Sequence, residues 1–368
     1  MKIQKIPVFL LTGFLGSGKT TLLKAWLQSE LLKDAALIIN ELGEVGLDNQ
    51  LLANASESAA LVPNACVCCT GLPALNQALE DLFWARLERR IPRFPNLVIE
   101  TTGLASPAPI LSSFEESALV KERYECMGTI TCLSASTAAH VLQSHPEARE
   151  QLKVANVCIL TKTDLVDAKQ LEVLRLNLEE LFSETHQHTP ILMSGQANLP
   201  VQVVFKALHQ AHDYNACHPK VDTFGHEHAH PHLEHEHDHA GHLHSDEHPH
   251  HPGHDHLHDH SSHQAMSLFW PILGEADHEK LLLEINTLKS ILGPSLMRLK
   301  GRIKDDQGAW LMQLAPFEET LSVQVDPVLE SGSGADESQA LLGLTLIVSW
   351  PLSEAQKGAL PRNARLQS

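Results

Sequence analysis

The feature that most constrains this chain is the glycine-rich segment Gly13-Phe14-Leu15-Gly16-Ser17-Gly18-Lys19-Thr20, set directly behind the apolar run Ile6–Thr12. It satisfies G-x-x-x-x-G-K-[ST] at every fixed position, and it joins a strand-like run to a segment of helical period. Glycines let backbone N–H groups wrap an anion without side-chain clashes, and the N-terminus of the following helix adds partial positive charge. Gly13, Gly16, Ser17 and Gly18 are therefore expected to cradle a polyphosphate, with Thr21 in the next turn. Lys19 is expected to reach the terminal phosphates as a point charge, and the Thr20 hydroxyl to ligate Mg²⁺.

The rest of the N-terminal half supplies a sheet for that loop. Short apolar runs recur at Ala36–Asn40, Leu97–Glu100, Gly128–Leu133, Asn156–Thr161 and Ile191–Ser194. Segments of helical period separate them, such as Thr20–Lys33, with Leu23, Trp26, Leu27, Glu30 and Leu31 near one face, all but Glu30 apolar, and Leu72–Arg89. Continuous apolar strands alternating with amphipathic helices predict an α/β fold, a P-loop NTPase domain with a mostly parallel sheet covered on both faces. The C-terminal part reads differently. Strand-like Ser267–Ile272, a helix over Glu275–Leu292, strands near Ser295–Ile303 and Gly308–Leu314, and the run Leu341–Val348 predict a small α+β domain.

Between the two lies the abnormal part of the composition. Residues 226–263 hold 17 of the 25 His, eight acids and no Lys or Arg. So few apolar groups do not repay ordering entropy, and the segment reads as a disordered, metal-binding linker. The expected layout is a P-loop domain over 1–215, a His-rich linker over 216–264 and the α+β domain over 265–368, with Ser331–Glu337 as a second flexible loop.

Three further motifs point to the chemistry. Thr161-Lys162-Thr163-Asp164 ends a strand late in the domain, where such folds place a base-reading loop. The Asp164 carboxylate is suited to accept from guanine N1–H and N2–H, a donor pair adenine lacks, while Lys162 lays its stem along the base. Thr161 stands where GTPases commonly carry Asn and keeps one hydroxyl. Glu100-Thr101-Thr102-Gly103 also closes a strand; Glu100 suits Mg²⁺ binding through water, and the Gly103 N–H suits sensing a γ-phosphate. In the loop from Asn40 to Asp48, Asp48 is a candidate for positioning Mg²⁺ or the attacking water. Glu44 in the same loop is a candidate metal ligand; the plainer alternative is a polar exit from the strand.

Of seven Cys, Cys66, Cys68 and Cys69 fall within four positions, too close together to staple a fold. Three soft thiolates suit Zn²⁺ or Cu(I) in a reducing setting, and they leave a fourth position open for transfer. Cys126, Cys132, Cys158 and Cys217 sit singly and read as packing residues. The net charge of −18 argues against nucleic acid or an anionic membrane as partner. With no run of about 18 apolar residues and no cleavage site behind the first apolar run, a cytoplasmic location is expected.

GFLGSGKTT, NELGEVGLD, ACVCC, IETTGLASP and TKTD occur in that order, and together they resemble the CobW-like family of P-loop GTPases, relatives of the hydrogenase and urease nickel GTPases. The resemblance implies a GTP-hydrolysing metallochaperone or metal insertase, often zinc-linked, that couples hydrolysis to metal transfer to a client protein. GTP, Mg²⁺ and Zn²⁺ are the expected cofactors, the C-x-C-C thiolates the metal site, and self-association is left open. The chain departs from the family at Ala65, where Gly is usual, at Leu42, where Phe is usual, and at Ser134-Ala135, where Asp-Ala is usual. Two other readings compete: a metal-storage protein with a vestigial nucleotide site, and a cobalt chaperone for cobalamin synthesis. The intact P-loop, the 40–48 loop and Glu100 favour the enzyme.

Overall fold

The structure, a computed structural model, describes residues 5–39, 60–62, 72–184, 188–217, 264–272, 277–305, 308–314, 321–326 and 342–366. Seven strands form the first sheet: β1 (Ile6–Thr12), β2 (Ala36–Ile39), β3 (Ala60–Val62), β4 (Leu97–Glu100), β5 (Tyr124–Ser134), β6 (Val157–Thr161) and β7 (Ile191–Ser194). Their order is β3-β2-β4-β1-β5-β6-β7 and every pair is parallel.

Alternation along each strand sends neighbouring residues into two cores. Phe9, Leu11, Leu37 and Val98 pack with Leu23, Trp26 and Leu27 of the helix Lys19–Leu27 and with Val204 and Leu208 of the helix Val201–Cys217. Val8, Leu10, Ile38 and Ile99 point the other way, against Leu75, Leu79 and Leu82 of the helix Leu72–Leu87. Burial on both faces explains why these strands read as unbroken apolar runs.

Several expected boundaries move by a few residues, two of them for a visible reason. The first helix ends at Leu27 rather than Lys33, because the Ser29 N–H and hydroxyl both donate to the Trp26 carbonyl, at 2.9 and 2.6 Å. Leu32 N–H then donates to Ser29 O, and the turn buries Leu32 while leaving Leu31 exposed. Strand β5 begins at Tyr124, four residues before Gly128, since Ile6, Pro7 and Val8 pair with its start.

The second sheet is antiparallel: β8 (Gln264–Pro271), β9 (Leu296–Asp305), β10 (Gly308–Leu314), β11 (Ser322–Val325), β12 (Gly343–Trp350) and β13 (Arg365–Leu366), ordered β11-β10-β9-β12-β8-β13. The helix His278–Leu292, capped by Asp277 accepting from Lys280 N–H at 3.1 Å, covers one face. Its Leu281, Ile285, Leu288 and Leu292 pack on Leu268, Leu299, Ile303, Met312, Leu344 and Leu346. On the other side of the sheet, Met297 and Ile347 join a core containing Phe14 and Leu15 of the glycine-rich loop. The expected α+β class is observed. Strands β3, β11 and β13, two to four residues each, had no sequence signal of their own. Among the described residues no helix is long and apolar enough to cross a membrane.

Candidate nucleotide site

The parallel sheet brings the ends of β1, β4 and β6 to one edge. β4 lies between β1 and β2, with Glu100 in register with Leu11 and Ile39. Past β1 the chain turns at Gly13, where φ is +137° and an added Cβ would lie 2.2 Å from the Cys132 carbonyl oxygen. Only glycine fits there. Lys19, buried at the start of its helix, curls its Nζ back to donate to Gly13 O at 2.7 Å and Phe14 O at 3.2 Å. The ammonium is thereby held inside the loop that would wrap a phosphate.

Thr20 donates its hydroxyl to Glu100 Oε1 at 2.5 Å, and Glu100 is only 3% exposed. A hydroxyl and a carboxylate side by side are hard oxygen donors of the kind Mg²⁺ takes, so the residues present fit that ion. Beyond Glu100, the Thr101 hydroxyl donates to Thr12 Oγ1 at 2.9 Å. Gly103 presses on the glycine-rich loop so closely that a Cβ would meet Leu15 N at 2.4 Å. The wholly buried Gln151 fixes this turn by donating to Gly103 O and Ala105 O, both at 3.0 Å. No local pattern in the sequence marks Gln151.

The base-reading loop is joined to the phosphate loop by Thr161, whose hydroxyl donates to Ser17 O at 2.8 Å. Lys162 takes a left-handed φ of +53°, and Asp164 follows in a short 3-10 turn. Asp164 Oδ1 accepts the Gln196 N–H at 3.0 Å, so the turn after β7 becomes part of the site. Ser194-Gly195-Gln196-Ala197 was missed from sequence; its signal was a strand followed by a glycine turn at the same sheet edge. Ser134 of the departing Ser-Ala pair is buried and its hydroxyl lies 3.0 Å from that of Ser136.

Two cavities run along this edge. One, of about 340 Å³, is lined by Gly16, Gly18, Lys19, Thr20, Thr21, Glu100 and Gly103. The other, of about 790 Å³, is lined by Thr161, Lys162, Asp164 and Gln196, and shares Gly18, Thr21, Lys162, Gln313 and Ser322 with the first. The structure thus brings together the expected phosphate, Mg²⁺ and base residues. Burial pushes the Cys132 thiol up to about 12, with the nearby Lys19 ammonium partly opposing, and pushes the Cys158 and Cys126 thiols up as well. Cys132 and Cys158 are buried, in keeping with packing roles. Asp48, Glu44, Cys66, Cys68 and Cys69, the loop 40–48 and the segment 226–263 lie outside the described residues.

A glycine-rich loop between strand and helix, a lysine curled into it and a threonine–carboxylate pair define a P-loop nucleotide-binding protein. More narrowly, residues 7–189 match the family model described as CobW/HypB/UreG, nucleotide-binding domain. The chain is similar to the zinc chaperone YjiA of Escherichia coli K12, 37% identical over 203 residues that span 55% of this chain and 62% of that one. It is also similar to the zinc-regulated GTPase metalloprotein activator 1 of Schizosaccharomyces pombe, 33% identical over 180 residues, 47% of this chain and 43% of that one. The chain therefore covers less than two thirds of these curated relatives. A crystal structure of the Zn(II)-bound YjiA GTPase from E. coli covers 97% of this chain and 98% of that one at 20% identity, with a TM-score of 0.40. The fold is established instead by strand order and the family match.

Proposed function

We propose that this chain is a GTP-hydrolysing metallochaperone that carries a transition metal, zinc before others, and couples hydrolysis to its delivery to a metal-requiring client in the cytoplasm. What carries the reading is the joined site itself: Lys19 inside its loop, Thr20 on Glu100, and Thr161 tying Asp164 to Ser17. Thr20 and Glu100 would hold Mg²⁺, which when bound neutralises phosphate charge. Lys19 grips the terminal phosphates, Gly103 N–H reads the γ-phosphate, and Asp164 and Lys162 select guanine. Asp48 orients the attacking water. Zinc is cargo, held by Cys66, Cys68 and Cys69 with Glu44 as fourth ligand, and the 226–263 imidazoles gather metal for it. In this reading residues 1–215, 216–264 and 265–368 are the P-loop domain, the metal-gathering linker and the C-terminal domain. The similarity to a zinc chaperone and a zinc-regulated GTPase metalloprotein activator supports the choice of metal.

The test is turnover of GTP and ATP by wild type, Lys19→Ala and Asp164→Asn. We expect GTP to be hydrolysed in preference to ATP, Lys19→Ala to lose roughly 100-fold or more in kcat, and Asp164→Asn to lose only the guanine preference. Equal use of ATP, or an unchanged kcat in Lys19→Ala, refutes the assignment. Metal binding with no turnover at all would leave the storage protein.

A further inference from the structure

Part of the phosphate cavity is walled by the second sheet. Arg298 and Lys300 of β9 line the same space as Lys19, Thr20 and Glu100, together with Leu311, Gln313, Ser322 and Gln324 of β10 and β11. The register explains how. Lys300 sits across from Gln313 on β10 and from Thr345 on β12, and Arg298 across from Ile347. Positions 298, 300 and 302 share one face of β9, whereas Leu299 and Ile303 take the face under the helix His278–Leu292. Lys300 is 2% exposed.

Among the described residues, the charged side chains that line this cavity are Lys19, Lys24, Lys162, Arg298 and Lys300 with the carboxylate Glu100. That composition suits a polyanion. Two of the five cations come from outside the P-loop domain. They also lie at a particular end of the site. The cavity they share holds Thr20, Glu100 and Gly103, while Asp164 and Gln196, which mark the base end, line the other cavity.

We propose that Arg298 and Lys300 bind the terminal phosphate of the nucleoside triphosphate in cis, so that the second sheet distinguishes triphosphate from diphosphate. A guanidinium can hold two phosphate oxygens at once and an ammonium acts as a point charge. Each bond made to the γ-phosphate is lost when that group leaves. The triphosphate then fastens the second sheet onto the P-loop, and hydrolysis removes those bonds while the core that Met297 and Ile347 share with Phe14 and Leu15 stays in place. Resting as it does on the nucleotide reading above, this assignment names the part of the chain that reports the nucleotide state.

Full-length wild type, Arg298→Ala, Lys300→Met and Lys300→Arg are compared for affinity toward fluorescent GDP and a non-hydrolysable GTP analogue, and for kcat. Loss of a charge-assisted bond should weaken the analogue roughly 10- to 100-fold in Arg298→Ala and Lys300→Met, while GDP changes by less than about 3-fold. Lys300→Arg should recover most of the loss. Equal weakening of both nucleotides, or none, overturns the assignment. If Lys300→Met melts early, the half-buried Arg298 decides the question alone. Wild type that binds no nucleotide sinks both this assignment and the function proposed above. If Asp164→Asn abolishes guanine preference while the β9 variants behave as wild type, only this assignment falls.

Discussion

Strands β1 and β9 are both largely buried, yet β1 is uncharged and β9 carries four basic residues among its first nine. β1 has helices on both faces, so Phe9 and Leu11 enter one core, Val8 and Leu10 the other, and no position is left for a charge. β9 has a helix on one face only. Its alternate residues Arg298, Lys300 and Arg302 enter polar surroundings, and Arg302 pairs with Asp326 at 2.8 Å, both almost fully buried. Apolar continuity signals two layers of helix, while a buried basic alternation signals a face that meets carboxylates and, in our proposal, phosphate.

The largest effect on stability should come from breaking that alternation. Arg302→Met removes the guanidinium facing buried Asp326 and should cost about 3–5 kcal/mol, read from denaturant unfolding of the full chain. Adding Asp326→Leu should recover a large part of the loss; if the double variant is no better, the pair is not what stabilises β9. In β1 the comparison predicts a cavity cost instead. Leu10 is fully buried, and Leu10→Ala should destabilise by roughly 2–5 kcal/mol with no partner substitution able to restore it. A cost below 1 kcal/mol would mean that the face against the helix Leu72–Leu87 is loosely packed.

The smallest effect is one of pH in the two-sided sheet. Burial raises the Cys132 thiol from its ordinary value near 9 to about 12, so the folded chain keeps a proton that the unfolded chain has lost. Stability from the neutral thiol is full below pH 9 and is lost as pH rises toward 12, by about 1.4 kcal/mol per pH unit at most. Urea midpoints measured between pH 8 and 11 should fall less steeply in Cys132→Ala than in wild type. Parallel slopes would show that the thiol does not titrate differently on folding.

How much of this was legible in the sequence follows from how local each rule is. The P-loop, Glu100 and Asp164 were readable because their chemistry is written in contiguous residues at strand ends. The end of the first helix was not, because Ser29 competes for the Trp26 carbonyl through a bond that periodicity ignores. Gln196 and Gln151 were invisible because they act across the fold, on Asp164 and on Gly103. The alternation in LMRLKGRI was in plain view, but a strand pattern states that a face is polar without stating what will face it. That required the register of β9 against β10 and β12.

In the function proposed above, nucleotide and metal bind one chain and their binding is linked. The direct measurement is Zn²⁺ affinity of the full chain in its GDP-bound and GTP-analogue-bound forms, against a Cys66→Ser, Cys68→Ser, Cys69→Ser variant that keeps the His-rich segment and so isolates the thiolate site. We expect a tight site absent from the variant, with affinity differing roughly 5- to 150-fold between the two nucleotide states and tighter with the GTP analogue. Identical Zn²⁺ affinity in both states would contradict it and leave a nucleotide-binding protein whose metal takes no part in the cycle.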